Sequence, residues 1–115
     1  MAFSEIEIAR YKKEVASYVE GKRPPAHIRK QLDIGFLING QSVEIFEVRP
    51  RWNDPQEILR HPVAKATYVR SQKIWKVFWQ RADLKWHRYE PNPTVRSLNQ
   101  FLAVVEKDEY ACFWG

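Results

Sequence analysis

From Ile74 to Tyr89 the chain alternates large apolar side chains with Lys, Gln and Arg, and this stretch holds three of the five tryptophans. A period of two is the pattern of a strand with one buried face, and a face carrying that many indoles needs a second layer to cover it. At 115 residues the chain is long enough for one domain, 1–115, to build its own core without metal or disulfide support. Apolar residues at 44% and charged residues at 29% are ordinary globular usage and exclude a disordered chain. The strands around this stretch therefore have to be found in the remaining sequence.

The chain begins with a helix over Phe3–Glu20. Ser4 is an N-cap, Glu7 completes a capping box, and Phe3 with Ile8 stands at the positions of a hydrophobic staple. Ile8, Tyr11, Val15, Tyr18 and Val19 recur at helical spacing and predict the buried face. Gly21 is the expected left-handed terminator, with Pro24-Pro25 blocking continuation. Lys22–Lys30 follows as a basic connector in which Pro25 is suited to open a helical turn.

Asn39-Gly40 is the strongest turn signal and predicts a hairpin over Gln31–Val48. A loop of those two residues pairs Ile38 with Gln41, Phe36 with Val43 and Ile34 with Ile45, with Leu32 on the same face. Leu37, Phe46 and Val48 fall on the other side, which implies partial cover there or a bulge near Glu47. Residues 49–62 have no periodicity and three prolines, and are expected to form a long loop. Trp52 then either plugs the edge of the core or serves binding together with Arg49 and Arg51.

Val63–Arg70, Lys73–Arg81 and Lys85–Tyr89 form a three-stranded meander with turns at Ser71-Gln72 and near Ala82–Leu84. With tight turns, Ala64, Ala66, Tyr68, Trp75, Val77, Trp79 and Trp86 share the core face, where small residues opposite indoles interdigitate. Lys65, Thr67, Lys76, Phe78, Gln80, His87 and Tyr89 share the other. Pro91 and Pro93 are expected to end the sheet. Ser97 and Gln100 make a second capping box ahead of a helix over Leu98–Lys107. The tail Tyr110–Trp114 either adds an edge strand or lies across the core. The fold class is α+β: an N-terminal helix, a five-stranded mainly antiparallel sheet (hairpin plus meander) and a C-terminal helix.

Chemistry is sparser. The formal charge of +5 favours an anionic partner. Cys112 is the only cysteine, which excludes an internal disulfide and a cysteine-based zinc site. His27, His61 and His87 are scattered, so no metal ligands, cofactor or catalytic residues are assigned. There is no signal peptide pattern and no apolar run of membrane-spanning length, so the location expected is cytoplasmic. The exposed-face residues Lys65, Lys76, Phe78, His87 and Tyr89, with Arg49, Arg51 and Trp52, are the candidate site for nucleic acid or another polyanion, because bases stack on aromatics and cations neutralise phosphates. Two other readings stand beside it. The same aromatic face suits a homodimer or other protein partner. Asp33, Glu47 and Arg49 imitate the order of a metal-dependent nuclease, although their register sends Asp33 and Glu47 to opposite faces and arginine is a poor base.

Several runs are distinctive together: Arg-Pro-Arg-Trp-Asn-Asp-Pro at 49–55, Pro-Val-Ala-Lys-Ala-Thr-Tyr-Val at 62–69, Arg-Ala-Asp-Leu-Lys-Trp-His-Arg-Tyr-Glu-Pro at 81–91, and the ending Asp-Glu-Tyr-Ala-Cys-Phe-Trp-Gly. In these runs the chain resembles a family of small bacterial proteins, common in gammaproteobacteria, filed as a domain of unknown function. The resemblance implies a bacterial cytosolic protein and brings no catalytic residues to carry over.

Overall fold

The computed structural model describes residues 3–114. The elements are α1 (Glu5–Lys22), β1 (Asp33–Asn39), β2 (Ser42–Arg51), β3 (Asp54–Val69), β4 (Ile74–Gln80), β5 (Trp86–Arg88), β6 (Thr94–Val95) and α2 (Leu98–Lys107). The sheet runs β1-β2-β3-β4-β5 with every neighbour antiparallel, and β6 pairs with β4 beside β5. Both helices contribute to a core built on one sheet face from Val43, Ile45, Ala64, Ala66, Trp75 and Val77. The α+β expectation holds, with β6 as an additional short strand.

In α1, the Glu7 N–H donates to Ser4 Oγ at 3.2 Å and the Ser4 N–H donates to Glu7 Oε1 at 2.9 Å, the reciprocal bonds of the capping box. The staple differs from expectation. Ile8 is 38% exposed, while Phe3 packs edge-on against Tyr11 at 5.0 Å and tilts over Trp75 at 5.7 Å. Tyr11, Val15 and Val19 form the buried stripe, each such burial contributing about 1.5–3 kcal/mol. Gly21 does not end the helix, which continues to Lys22. The stop is at Arg23, extended at φ −61°, ψ 140°, because the ring of Pro24 disfavours helical geometry in the residue before it. Arg23 then holds Asp33 through two bonds of 2.8 and 2.9 Å, tying the helix end to β1.

The first hairpin keeps its predicted faces and shifts its register by two. Asn39 pairs with Ser42, Ile38 with Val43 and Phe36 with Ile45, so the loop residues are Gly40 and Gln41. Gly40 has φ +62°, the conformation glycine supplies at the first position of a two-residue turn. A shift of two preserves side-chain parity, so Ile34, Phe36, Ile38, Val43 and Ile45 still face the helices.

The largest departure lies at 49–62. These residues are an antiparallel arm, not a loop: β2 extends to Arg51, the chain turns at Trp52-Asn53, and β3 returns from Asp54. The prolines mislead because they sit where the arm has open edges, the places in a sheet where proline is tolerated. β1 accompanies β2 only as far as Val48, and β4 accompanies β3 only from Ala64. A register shift follows the Ile45↔Ala64 pair, leaving Val63 as the extra residue before Phe46↔Pro62. The bulge anticipated near Glu47 is thus on the opposite strand.

In the meander, the β3–β4 register is the predicted one, with Ala64 opposite Trp79, Ala66 opposite Val77 and Tyr68 opposite Trp75. The β4–β5 register is slipped by one residue: Gln80 pairs with Trp86, Trp79 with His87 and Phe78 with Arg88. The intervening loop is longer than a tight turn, closed by Arg81 and Lys85 and carrying Leu84 at φ +62°. One residue of slip inverts the strand. Trp86 therefore leaves the core face for the open face, and His87 and Tyr89 move to the helix side. Pro91 and Pro93 do not end the sheet, since the Val77 N–H donates to Pro93 O at 3.0 Å and β6 follows directly.

α2 has its predicted bounds. Ser97 Oγ accepts the Gln100 N–H, while the Gln100 side chain takes the N–H of Arg96 and not of Ser97, so the second box is displaced by one residue. The tail lies across the core. Asp108 in the left-handed conformation accepts the N–H groups of Phe113 and Trp114 at 3.0 and 2.9 Å, and Phe113 packs on Tyr89.

Candidate functional site

The sheet face away from the helices carries the strongest concentration of binding chemistry. Lys65 stands at its centre, between Glu44 on β2 and Phe78 on β4. Its Nζ lies 5.1 Å from the centre of the Phe78 ring and 5.0 Å from that of Trp86, both within cation–π range. Lys76 follows at the next same-face position, flanked by Thr67 and Thr94. Arg88 is opposite Phe78. Among the described residues, Lys65 and Lys76 have no carboxylate within ion-pair distance, and Arg88 has only Glu90 at 4.0 Å. These charges are therefore available to an external anion.

A cavity of 230 Å³ opens on this face. Ile74, Phe78 and Pro93 give it apolar walls, and Lys76, Arg88 and Thr94 give it cationic and polar ones. Among the described residues, a wider, shallower depression of 650 Å³ beside β6 and α2 has Arg96 as its only cation and no aromatic wall, so the smaller cavity is the better candidate on chemistry.

The predicted site residues divide into three groups. Lys65, Lys76 and Phe78 are brought together as expected. His87 and Tyr89 are not with them. Tyr89 is 1% exposed inside the core, where burial pushes its phenol above the usual range. His87 lies on the helix side with its Nε2 2.8 Å from Asp83 Oδ2; the Lys85 N–H and then His87 hold the Asp83 carboxyl below the ordinary carboxylate range. Arg49, Arg51 and Trp52 form the third group, out on the arm. Arg49 pairs with Glu47 at 3.0 Å and Arg51 with Glu57 at 2.9 Å, and Trp52 at the tip is 92% exposed. Trp52 plugs nothing.

Trp86 and Arg88 join the candidate group on the open face and were not expected there from sequence. The signal that points to them is the poor fit of Asp83-Leu84 to a two-residue turn: a longer loop moves both side chains to the open face.

The nuclease-like trio is not assembled. Glu47 pairs with Ile34 and Asp33 with Val48, so the two carboxylates point to opposite faces, and each is held by an arginine of its own. Cys112 shares a cleft with His87 and Trp79, and burial pushes its thiol above the usual range, which disfavours the thiolate. No helix among the described residues is long and apolar enough to cross a membrane.

Neither the curated proteins nor the solved structures contain a match to this chain. A family model does match it, over residues 3–115. The chain belongs to that family, described as Domain of unknown function (DUF3024).

Proposed function

We propose that this protein is a non-enzymatic binding module that holds single-stranded nucleic acid on the open face of its sheet, in the cytoplasm of a bacterial cell. The observation that supports the reading is the grouping of Lys65, Lys76 and Arg88 around Phe78 and Trp86, beside a cavity with both cationic and apolar walls. Aromatic rings on a sheet give bases a sequence-tolerant platform, and neighbouring cations take the phosphates. Lys65 covers both rings in the free protein. A stacking base displaces its ammonium toward the backbone phosphates, so the same lysine stabilises the empty and the occupied face.

Stacking on two rings at about 1–3 kcal/mol per base, with three cations, supports micromolar affinity. Fluorescence anisotropy with a labelled single-stranded oligonucleotide at low ionic strength tests this. Three phosphate contacts give a log–log salt slope of about −2, at roughly −0.7 per contact on a single strand. Lys65→Glu with Lys76→Glu abolishes binding while the protein stays folded. No salt-dependent anisotropy change in the wild-type protein sinks the reading.

A further inference from the structure

We propose that the β2–β3 arm docks onto a second copy of this chain, its Trp52 indole entering the open-face cavity of that copy. The outer half of the arm lies beyond both of its neighbouring strands. From Phe46 to Trp52 it reaches about 20 Å, at roughly 3.3 Å per residue. Trp52 is 92% exposed at its tip and Ile58 is 57% exposed on its side. Register places Ile58 with Val48 and Pro50 on the same side of the sheet as Phe46, the open side. An indole presented at the tip of a two-stranded ribbon is the residue type that most often anchors a protein interface.

Two features narrow what the arm meets. Pro50, Pro55 and Pro62 lack the N–H groups needed to extend a sheet, so recognition passes through side chains and not through strand addition. The arm also carries no net charge: Arg49, Arg51 and Arg60 balance Glu47, Asp54 and Glu57, and two of these pairs are joined directly. A neutral arm gains little from a phosphate backbone. It does approach a cationic surface without repulsion, which the rest of a +5 chain does not.

The cavity offers a matching receptor, with Ile74, Phe78 and Pro93 to enclose a ring and Lys76 and Arg88 to stand over its π face. Arm and cavity also sit where symmetry can join them. The arm is the Asp54 end of β3, and the cavity lies at the other end, where Thr67 and Val69 face Lys76 and Ile74. The two features are at opposite ends of one face of a molecule 45 Å long. A two-fold axis lying in that face and crossing the strands brings each arm over the cavity end of the other copy, giving two reciprocal contacts and a closed dimer.

Sedimentation velocity of the full chain over a micromolar range, with no nucleic acid present, tests the inference independently of the nucleic-acid reading. The wild-type protein is expected to self-associate to a dimer. Trp52→Ala removes the anchor and Thr94→Tyr fills the cavity; both positions are exposed, so both variants fold. Each weakens association by about thirtyfold or more, as loss of an interface anchor does. Mixing the two variants restores association partway, because the mixed dimer keeps one intact arm and one intact cavity. A wild-type protein that stays monomeric throughout the range overturns the proposal. So does a dimer indifferent to both substitutions, or a mixture that associates no better than either variant alone.

Discussion

Lys65 and Tyr89 show how differently two residues of one candidate group are used. Lys65 spans two rings on the open face, whereas Tyr89 is sealed against Phe113 in the core. Substitutions separate the two roles. Trp86→Ala and Phe78→Ala are each expected to weaken oligonucleotide binding by about 1–3 kcal/mol, read by anisotropy, and to leave the urea midpoint nearly unchanged. Tyr89→Ala is expected to do the reverse: folding stability falls by about 3 kcal/mol or more, as for other large-to-small aromatic changes in cores, and Tyr89→Phe binds like wild type. The position of Trp86 follows from its loop and not from its chemistry. An indole suits a core, and only the length of the 81–85 connection sends this one outward.

Among the elements, α1 depends most on one ionised group. The Glu7 carboxylate takes two bonds from Arg70 at the end of β3, one of them 2.6 Å long, and caps its own helix through the Ser4 N–H. Arg70 and then the Ser4 N–H hold its carboxyl at about 2, below the ordinary 4.5. The ionised form favours the folded state, so this contribution is complete above pH 4.5 and disappears as the pH falls toward 2. Urea unfolding across that interval is expected to show wild-type stability falling with pH and Glu7→Gln losing less of it. In α2, Ser97→Ala removes the acceptor for the Gln100 N–H and is expected to cost about 1 kcal/mol in the same assay.

Across the whole molecule, stability is unevenly distributed because the core lies under only half of β3. Ala64 and Ala66 are fully buried between neighbouring strands and the helices, while Gln56 and Glu57 have solvent around them. At concentrations below self-association, hydrogen exchange is expected to divide the strand: amides of 56–61 exchange orders of magnitude faster than those of 64–69, which approach the global unfolding rate. Uniform protection along β3 would show instead that the arm is covered in solution. That result would agree with dimer formation only if Trp52→Ala abolished it.

Local chemistry determined much of this protein from sequence alone. Ser4 with Glu7, Gly40, the alternation of Ala64–Tyr68 against Trp75–Trp79 and the apolar stripe of α2 each act over a few residues, and each reads directly as a cap, a turn, a strand pair or a helix face. The faces of the first hairpin survived a two-residue error in register because parity is unchanged by two. Tertiary structure decided what depends on a single residue of length or on a missing neighbour. A one-residue slip between β4 and β5 exchanged Trp86 for His87 and Tyr89 on the open face. At 49–62 the prolines concealed an arm because a strand with open edges tolerates them, and whether an edge is open is a property of the assembled sheet. The stretch from Ile74 to Tyr89 was legible as two strands joined by a turn; which of its aromatic side chains meet solvent was set by the length of that connection.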